Sequence, residues 1–174
     1  MARLLLATWV VALAVGSLAW RGAAAADLRI EVAGIRSTRG AVLIGLYDSA
    51  SSFDNAIAFS DRDGFLNDPR RVAGAALRAN TARTSGIVFT NLPPGRYAII
   101  LFQDENGNGK LDKNFWGVPT EPYGFSNDAR AFVSPPTFAA ASFALGAGNL
   151  TVVIDLHGGD SGVSGGSAPP AARK

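Results

Sequence analysis

The sequence predicts an all-β fold, an antiparallel β-sandwich of about seven strands. Apolar and polar residues alternate with a period of two in several short stretches, the pattern of a strand that buries one face. Gly, Pro, Asn and Asp residues typical of turns separate these stretches, and no segment of the domain shows a strong helical period. Short strands punctuated by turns are typical of two packed sheets.

Two alternating stretches open the domain, at residues 28–32 and 42–46. A turn at residues 37–40 lies between them, so this part of the chain predicts a β-hairpin. Residues 51–71 are mixed and polar, and the pattern at residues 54–60 fits a loop and a short helix equally. Further strands are predicted at residues 72–80, 87–90, 97–103, 137–145 and 150–156.

Residues 89–97, F-T-N-L-P-P-G-R-Y, predict a tight corner. The two prolines have no backbone N–H to donate to a ladder, and Gly95 is expected to take a positive φ. We expect Leu92 and Tyr97 to pack inward on either side of the corner. The segment that follows, residues 97–103, is apolar almost throughout, which predicts a central strand covered on both faces.

The two ends of the chain differ from the domain between them. Residues 1–26 combine a positive start, an apolar run and small residues of the A-x-A kind, which predicts a signal peptide cleaved near Ala26. An uncleaved membrane anchor is the alternative, although the run is short for a span. Cleavage would leave a sandwich domain, residues 27–156, with no membrane span, in the periplasm or outside the cell. Residues 157–174, rich in Gly, Ser, Pro and Ala, predict a disordered tail.

Composition excludes several classes of function. The chain has no cysteine, which excludes disulfides, thiol nucleophiles and thiolate metal sites. The formal net charge is +2, and it falls to zero without residues 1–26, which hold two arginines and no acidic residue. Since there is no long run of Lys and Arg, nucleic acid is not an expected partner. The single histidine, His157, begins the predicted tail, where we expect it to be solvated and outside any Ser–His triad.

The most distinctive motif is D-E-N-G-N-G-K-L-D, at residues 104–112. Its oxygen-bearing side chains fall at positions 1, 3, 5 and 9 of a calcium-loop pattern, with a glycine at position 6. Phe115 stands where the bidentate Glu of a full loop belongs, so we expect Glu121 or Asp128 to complete the shell. The predicted ligands of a candidate calcium cofactor are Asp104, Asn106, Asn108, Lys110 (through its carbonyl oxygen), Asp112 and Glu121.

The same motif has a second explanation that needs no ion. Asp and Asn side chains accept hydrogen bonds from their own backbone in Asx-turns, and the two Asn-Gly pairs favour tight turns whatever the ligand. With two carboxylates from the loop, calcium affinity would lie at the weak extracellular end, on the order of 0.1–1 mM. Both explanations predict a tightly turned loop at the end of the apolar strand.

Aromatic residues cluster in sequence beside this loop. Phe115, Trp116, Tyr123 and Phe125 lie among glycines and prolines, with neither a helical nor a strand period. Exposed, these rings would form a stacking platform for a sugar or a hydrophobic peptide; buried, they would cap the open end of the sandwich. The predicted ligand-binding residues are Trp116, Tyr123 and Phe125.

Two resemblances follow from these motifs. Residues 89–97 resemble the corner of transthyretin-like and carboxypeptidase-regulatory-like sandwiches, which implies a transthyretin-like or immunoglobulin-like arrangement. L-Y-D-S at residues 46–49, the Pro-Pro-Gly corner, the 104–112 loop and G-V-P-T-E-P-Y-G-F-S-N at residues 117–127 occur in one order. So arranged, they are similar to a family of secreted bacterial proteins catalogued as a domain of unknown function.

That second resemblance covers residues 27–156, essentially the whole domain, and implies an exported β-sandwich without naming an activity. Members of the family commonly carry a His just before the first Asp of the loop. This chain has Gln103 there, so no role of that His carries over.

We therefore expect an exported, non-enzymatic module that binds a carbohydrate, a peptide or another envelope component at the loop end of the sandwich. A purely structural or interaction domain is the first alternative. A hydrolase is the second, since paired carboxylates can act as acid and base. Nothing in the sequence sets the separation of the carboxylates or raises a pKa, so catalysis is not predicted. The carboxylates in question are Asp104, Asp112, Glu121 and Asp128.

Overall fold

The computed structural model describes residues 24–81, 85–131 and 134–159, without the side chain of Ser85. These residues form nine strands, two helices and two short 3-10 turns at Phe65–Asn67 and Ser126–Asp128. The strands are β1 (Ala26–Ala33), β2 (Ala41–Tyr47), β3 (Ala73–Arg78), β4 (Ser85–Leu92), β5 (Gly95–Asp104), β6 (Pro122–Phe125), β7 (Phe143–Leu145), β8 (Leu150–Asp155) and β9 (His157–Gly158), and the helices are α1 (Ala50–Ala58) and α2 (Phe138–Ala141).

The strands form two sheets, which confirms the predicted β-sandwich. A three-stranded sheet has the order β4-β1-β8, and a six-stranded sheet has the order β3-β2-β5-β6-β9, with β7 also paired to β5. Pairing is antiparallel in both sheets except between β1 and β8, which run parallel. Two of the nine strands, β7 and β9, have only two or three residues. The strand predicted at residues 137–145 is wrong in its first part, where helix α2 lies, and β7 occupies only its last three residues.

The predicted hairpin of residues 28–32 and 42–46 is wrong. The first stretch lies in β1, which pairs with β4 and β8, and the second lies in β2, which pairs with β3 and β5. The turn between them therefore crosses from one sheet to the other. Alternation identifies the buried face of a strand but not its neighbour, and these two faces meet across the core instead of side by side.

The main core lies between the two sheets. Leu28, Ile30 and Val32 of β1 face Ile44 and Leu46 of β2, and all five side chains are fully buried. β5 adds the buried side chains of its residues 97, 99 and 101 to the same cluster. This core follows directly from the period-two pattern in the sequence.

A second apolar cluster covers the outer face of the six-stranded sheet. Phe53 of α1, Phe102 of β5 and Phe125 of β6 belong to it, and Phe53 packs edge-on against Phe138 at 5.9 Å between ring centroids. The central strand β5 is thus buried on both faces, as its apolar run predicts. Among the described residues, both clusters lie between Ala26 and Leu156.

The open choice at residues 54–60 resolves into helix α1. Ser49 caps its start, since the Ser49 hydroxyl accepts a hydrogen bond from the backbone N–H of Ser52. Phe53 and Ala56 turn one face of the helix into the outer cluster. Packing against the sheet stabilises a helix that is too short to be stable alone.

The corner between β4 and β5 forms as predicted in its packing but not in its backbone. Leu92 and Tyr97 are buried, and the Tyr97 hydroxyl donates to the carbonyl oxygen of Pro93 at 2.7 Å. The prediction of a positive φ at Gly95 is wrong. Asn91 takes it instead, at φ 60°, and its N–H donates to the carboxylate of Asp27. Asn is the residue that best tolerates this conformation after glycine.

The C-terminal part of the domain extends past the predicted boundary at Leu156. His157 and Gly158 form β9 and pair with Tyr123 and Pro122 of β6. His157 is half-buried, so the prediction of a solvated histidine is wrong; burial, followed by the nearby Arg130, lowers its pKa. Residues 160–174 of the predicted tail lie outside the described residues.

The predicted signal peptide also lies almost wholly outside the described residues, which begin at Ala24. Its last residue, Ala26, is buried and pairs with Leu92 at the start of β1. Over the described part of the chain, no helix is both long and apolar enough to cross a bilayer.

Candidate functional site

The 104–112 loop begins where β5 leaves the six-stranded sheet. Asp104, the last residue of the strand, is only 4% exposed. Its carboxylate accepts the backbone N–H groups of Gly107 (2.7 Å), Asn108 (3.1 Å) and Gly109 (2.8 Å). Gly107 and Gly109 both have positive φ, which lets successive N–H groups turn toward one carboxylate. The loop is therefore wound around the Asp104 side chain.

The two asparagines continue this winding. The Oδ1 atoms of Asn106 and Asn108 accept the N–H groups two residues further on, at 3.0 and 3.1 Å. Both Nδ2 groups donate to the carboxylate of Asp112, Asn108 at 2.9 Å. These are the Asx-turns of the explanation without an ion.

Glu121 closes the loop from the far side. It lies immediately before β6, is 5% exposed, and accepts the N–H of Glu105 at 2.8 Å and the N–H of Asp112 at 3.0 Å. Burial raises the pKa of this carboxyl, and the negative charges of Asp112 and Asp104 act in the same direction against the two N–H donors. Glu121 thus joins the beginning and the end of the loop.

The structure brings the predicted metal ligands together but commits them to other contacts. Lys110 turns its side chain to Asp63, with Nζ 3.3 Å from the carboxylate, and its N–H donates to Asn108. Asp128, the alternative to Glu121, lies in the exposed 3-10 turn after β6. Among the described residues, no three His, Cys, Asp or Glu side chains are grouped so that they would hold a metal ion. Calcium binding by the carboxylate and amide oxygens stays a prediction.

The loop is also tied to the segment that follows α1. The N–H of Leu111 donates to the carbonyl oxygen of Ser60 at 2.7 Å, and the Leu111 side chain is buried in the outer cluster. Lys113 forms an ion pair with Asp61 at 3.3 Å, parallel to the pair that Lys110 makes. Sequence reasoning missed this connection, because the two segments are far apart in the chain and the motif at residues 104–112 does not indicate which segment it packs against.

Residues 114–118 form a turn that we call the aromatic tip. The side chain of Asn114 accepts the N–H groups of Trp116 (2.9 Å) and Val118 (3.1 Å), and Lys113 bridges to Pro119 below it. The rings of Phe115 and Trp116 contact each other nearly at right angles, 5.4 Å between centroids, and are 93% and 83% exposed. Two large aromatic side chains are thus held in solvent on an ordered turn.

A cavity of about 350 Å³ lies beside the aromatic tip, and we call it the tip groove. Trp116, Tyr123 and Phe125, the three predicted ligand-binding residues, all line it. Tyr123 is half-buried with its ring 5.9 Å from that of Phe125, and Phe125 is buried against Phe53. The aromatic cluster therefore divides, since Phe125 caps the sandwich while Trp116 stays exposed. The exposure of Phe115 had no signal in the sequence.

The loop and the aromatic tip form most of the connection between β5 and β6, and this connection supplies one wall of the tip groove. A family described as "Uncharacterized protein conserved in bacteria (DUF2141)" matches residues 30–153. The chain belongs to this family. The DUF2141 match covers most of the described domain and includes the whole β5–β6 connection.

The family confirms the predicted resemblance to a bacterial domain of unknown function. No curated protein and no solved structure matches the chain. The transthyretin-like resemblance of residues 89–97 therefore stays a prediction for this DUF2141 domain.

Proposed function

We propose that this protein is an exported, non-enzymatic binding module whose tip groove holds a hydrophobic peptide segment. The observation that carries the proposal is Trp116, which is 83% exposed and lines the groove. A large aromatic side chain in solvent loses the free energy that burial would provide, about 2–3 kcal/mol. Binding an apolar ligand would recover it, as aromatic residues at protein interfaces do.

The lining of the groove favours a peptide over a carbohydrate. Its lining includes the apolar residues Ile57, Leu111 and Pro119 and the ring of Tyr123. Sugar sites combine a stacking ring with several polar groups that pair with the hydroxyls, because unpaired hydroxyls are costly to bury. Such groups are few in this groove, namely Ser60, Lys113, Tyr123 and Ser134.

The carboxylates near the groove support a binding role over a hydrolytic one. Asp104 and Glu121 together accept five backbone N–H groups of the loop, and Asp112 accepts two side-chain amides. A general acid or base needs a carboxyl that faces the reacting atoms. These carboxyls face their own loop, so we assign them to holding the aromatic tip in place.

The 104–112 loop holds the aromatic tip and one wall of the groove in fixed positions, which favours binding. The Asp104 and Glu121 carboxylates accept N–H groups along the loop, and the N–H of Leu111 donates to the carbonyl oxygen of Ser60. Leu111 also lines the groove. A groove with fixed walls loses less conformational freedom on binding than a flexible one. If the domain is purely structural, we expect the same rigid loop but no ligand in the groove.

An array of hydrophobic peptides and glycans tests the proposal with residues 24–174, which contain both core clusters. We expect peptide hits that weaken by about tenfold or more in Trp116→Ala, since a buried Trp commonly dominates an interface. Val153→Ala is the control, because Val153 is 56% exposed on β8, away from the groove. Trp116-dependent glycan hits in place of peptide hits would overturn the peptide assignment, and no Trp116-dependent hit would leave the structural alternative.

A further inference from the structure

The aromatic tip exposes more apolar surface than the tip groove explains. Phe115 is 93% exposed and does not line the groove, while Val118, at the other end of the tip, lines it and is still 55% exposed. Isolated apolar residues on a surface are ordinary, but three on one turn form a patch. Phe115 therefore needs an explanation of its own.

The backbone of the tip is suited to an apolar environment. The N–H of Asn114 donates to the carbonyl of Val118, and the N–H of Gly117 donates to the carbonyl of Asn114, both at 2.9 Å. The N–H groups of Trp116 and Val118 are taken by the Asn114 side chain. Backbone groups that leave water for lipid must be paired within the protein, and the N–H groups of Asn114, Trp116, Gly117 and Val118 are so paired.

The distribution of charge around the tip also favours an apolar partner. Residues 114–119 carry no formal charge. The two lysines at its base are held in ion pairs, Lys110 with Asp63 and Lys113 with Asp61. The tip therefore matches a partner surface that is apolar and needs no charge to bind it.

A second copy of the chain is a poor fit to this patch. Phe and Trp side chains bury about 150–250 Å² each, so the pair supplies about 300–500 Å². A stable interface needs about 800 Å² from each partner. A lipid interface has no such minimum, because each aromatic ring partitions into it independently.

We propose that Phe115 and Trp116 insert into the interface of a lipid bilayer and hold the protein reversibly on a membrane surface. Trp and other aromatic rings favour the headgroup region, where one part of the ring meets apolar chains and its edge meets water. Insertion is shallow, since only the turn projects its rings. This inference goes beyond the peptide-binding proposal. The two share Trp116, and Phe115, which does not line the groove, distinguishes them.

Sedimentation with vesicles tests the inference, using residues 24–174 and vesicles of phosphatidylethanolamine and phosphatidylglycerol. Trp116 is then the one tryptophan of the chain, since Trp9 and Trp20 are absent. We expect binding, a blue shift of Trp116 emission and quenching by brominated lipid. Phe115→Ser should weaken binding by about tenfold to a hundredfold, the effect of removing one buried aromatic side chain.

The matched control is Val153→Ser, the same loss of an exposed apolar side chain at the opposite sheet. It should bind vesicles like the wild type, and equal melting temperatures would show that all variants fold. Unchanged vesicle binding in Phe115→Ser would overturn the inference. So would binding that disappears at high salt, which would indicate charge, or a Phe115-dependent change in sedimentation without lipid, which would indicate self-association. A Phe115→Ser variant that loses vesicle binding but keeps its peptide hits would show that membrane binding and peptide binding by the groove are separate properties.

Discussion

Glu121 holds Asp112 by its backbone, with the Glu121 carboxylate accepting the Asp112 N–H at 3.0 Å, while its other oxygen accepts the N–H of Glu105. One buried carboxylate thus fixes both ends of the loop that carries the aromatic tip. Its negative charge lies near those of Asp104 and Asp112, which disfavours the charged form. This conflict between two good hydrogen bonds and one buried charge makes Glu121 the most informative residue to change.

We expect Glu121→Gln to lower the free energy of unfolding in a pH-dependent way. The amide NH₂ faces a backbone N–H, which leaves that donor without an acceptor and costs about 1 kcal/mol or more. The pKa of Glu121 is raised in the folded protein, so the folded state takes up its proton more readily than the unfolded state. The stabilisation that Glu121 adds to the free energy of unfolding is therefore fully present when the pH is below the ordinary pKa of a Glu, and it is lost as the pH rises through the raised pKa of the folded protein.

The measurement is urea unfolding of wild type and variant between about pH 3 and about pH 7. The advantage of the wild type over Glu121→Gln should be largest at the acidic end and should narrow as pH rises. Glu31→Gln, at a half-buried position of β1 in the other sheet, is the control for the change of a carboxylate to an amide. An advantage that widens with pH would show that the two N–H groups outweigh the burial of the charge.

We expect Gly109→Ala to destabilise the protein by about 1–2 kcal/mol, because an L-residue is strained at positive φ. Gly109 has φ 78°, and an added Cβ would meet no atom within 4 Å. Gly146 has equally open surroundings but ordinary φ, so Gly146→Ala is a control that differs only in backbone conformation. Thermal melting of both variants measures the difference. Equal melting temperatures would mean that the loop relaxes away from its left-handed turn.

We expect calcium at about 10 mM to stabilise the protein by about 1.4–2.7 kcal/mol, the linkage value for a dissociation constant on the order of 0.1–1 mM. Thermal melting with calcium, with magnesium and with chelator measures the effect. Asp112→Asn should reduce it, whereas Asp54→Asn, an exposed residue of α1, should not. Identical melting temperatures in calcium and in chelator would leave the Asx-turns as the whole explanation of the motif.

The sequence correctly predicts the features that depend on which residues of a single segment are buried. The apolar run of β5 leads to a strand covered on both faces, and Leu92 and Tyr97 flank a buried corner. Partner choice is decided between segments, which is why β1 and β2 were expected to form a hairpin. The positive φ moved from Gly95 to Asn91 for a similar reason, since Asp27 of another strand supplies the acceptor for the Asn91 N–H.

The candidate site shows the same division. The Asx-turns of Asn106 and Asn108 follow from local spacing, as the explanation without an ion predicts, and both explanations predict the tightly turned loop. The role of Glu121 as a clamp depends on where β6 lies beside β5, which no local pattern specifies. Phe115 and Phe125 have the same side chain and similar neighbours in sequence, but one is exposed and the other buried. Their difference comes from the outer cluster, which has a place for Phe125 beside Phe53 and none for Phe115.

β5 and β6 are adjacent in the six-stranded sheet and pair directly through residues 100–102 and 123–125. The long excursion between Asp104 and Pro122 is therefore not required to join them, since a short reverse turn would serve the sheet equally well. Exchanging residues 113–119 for another turn would leave the two sheets and their shared interior untouched. Natural variation or protein engineering could therefore replace this turn while the two sheets stay the same.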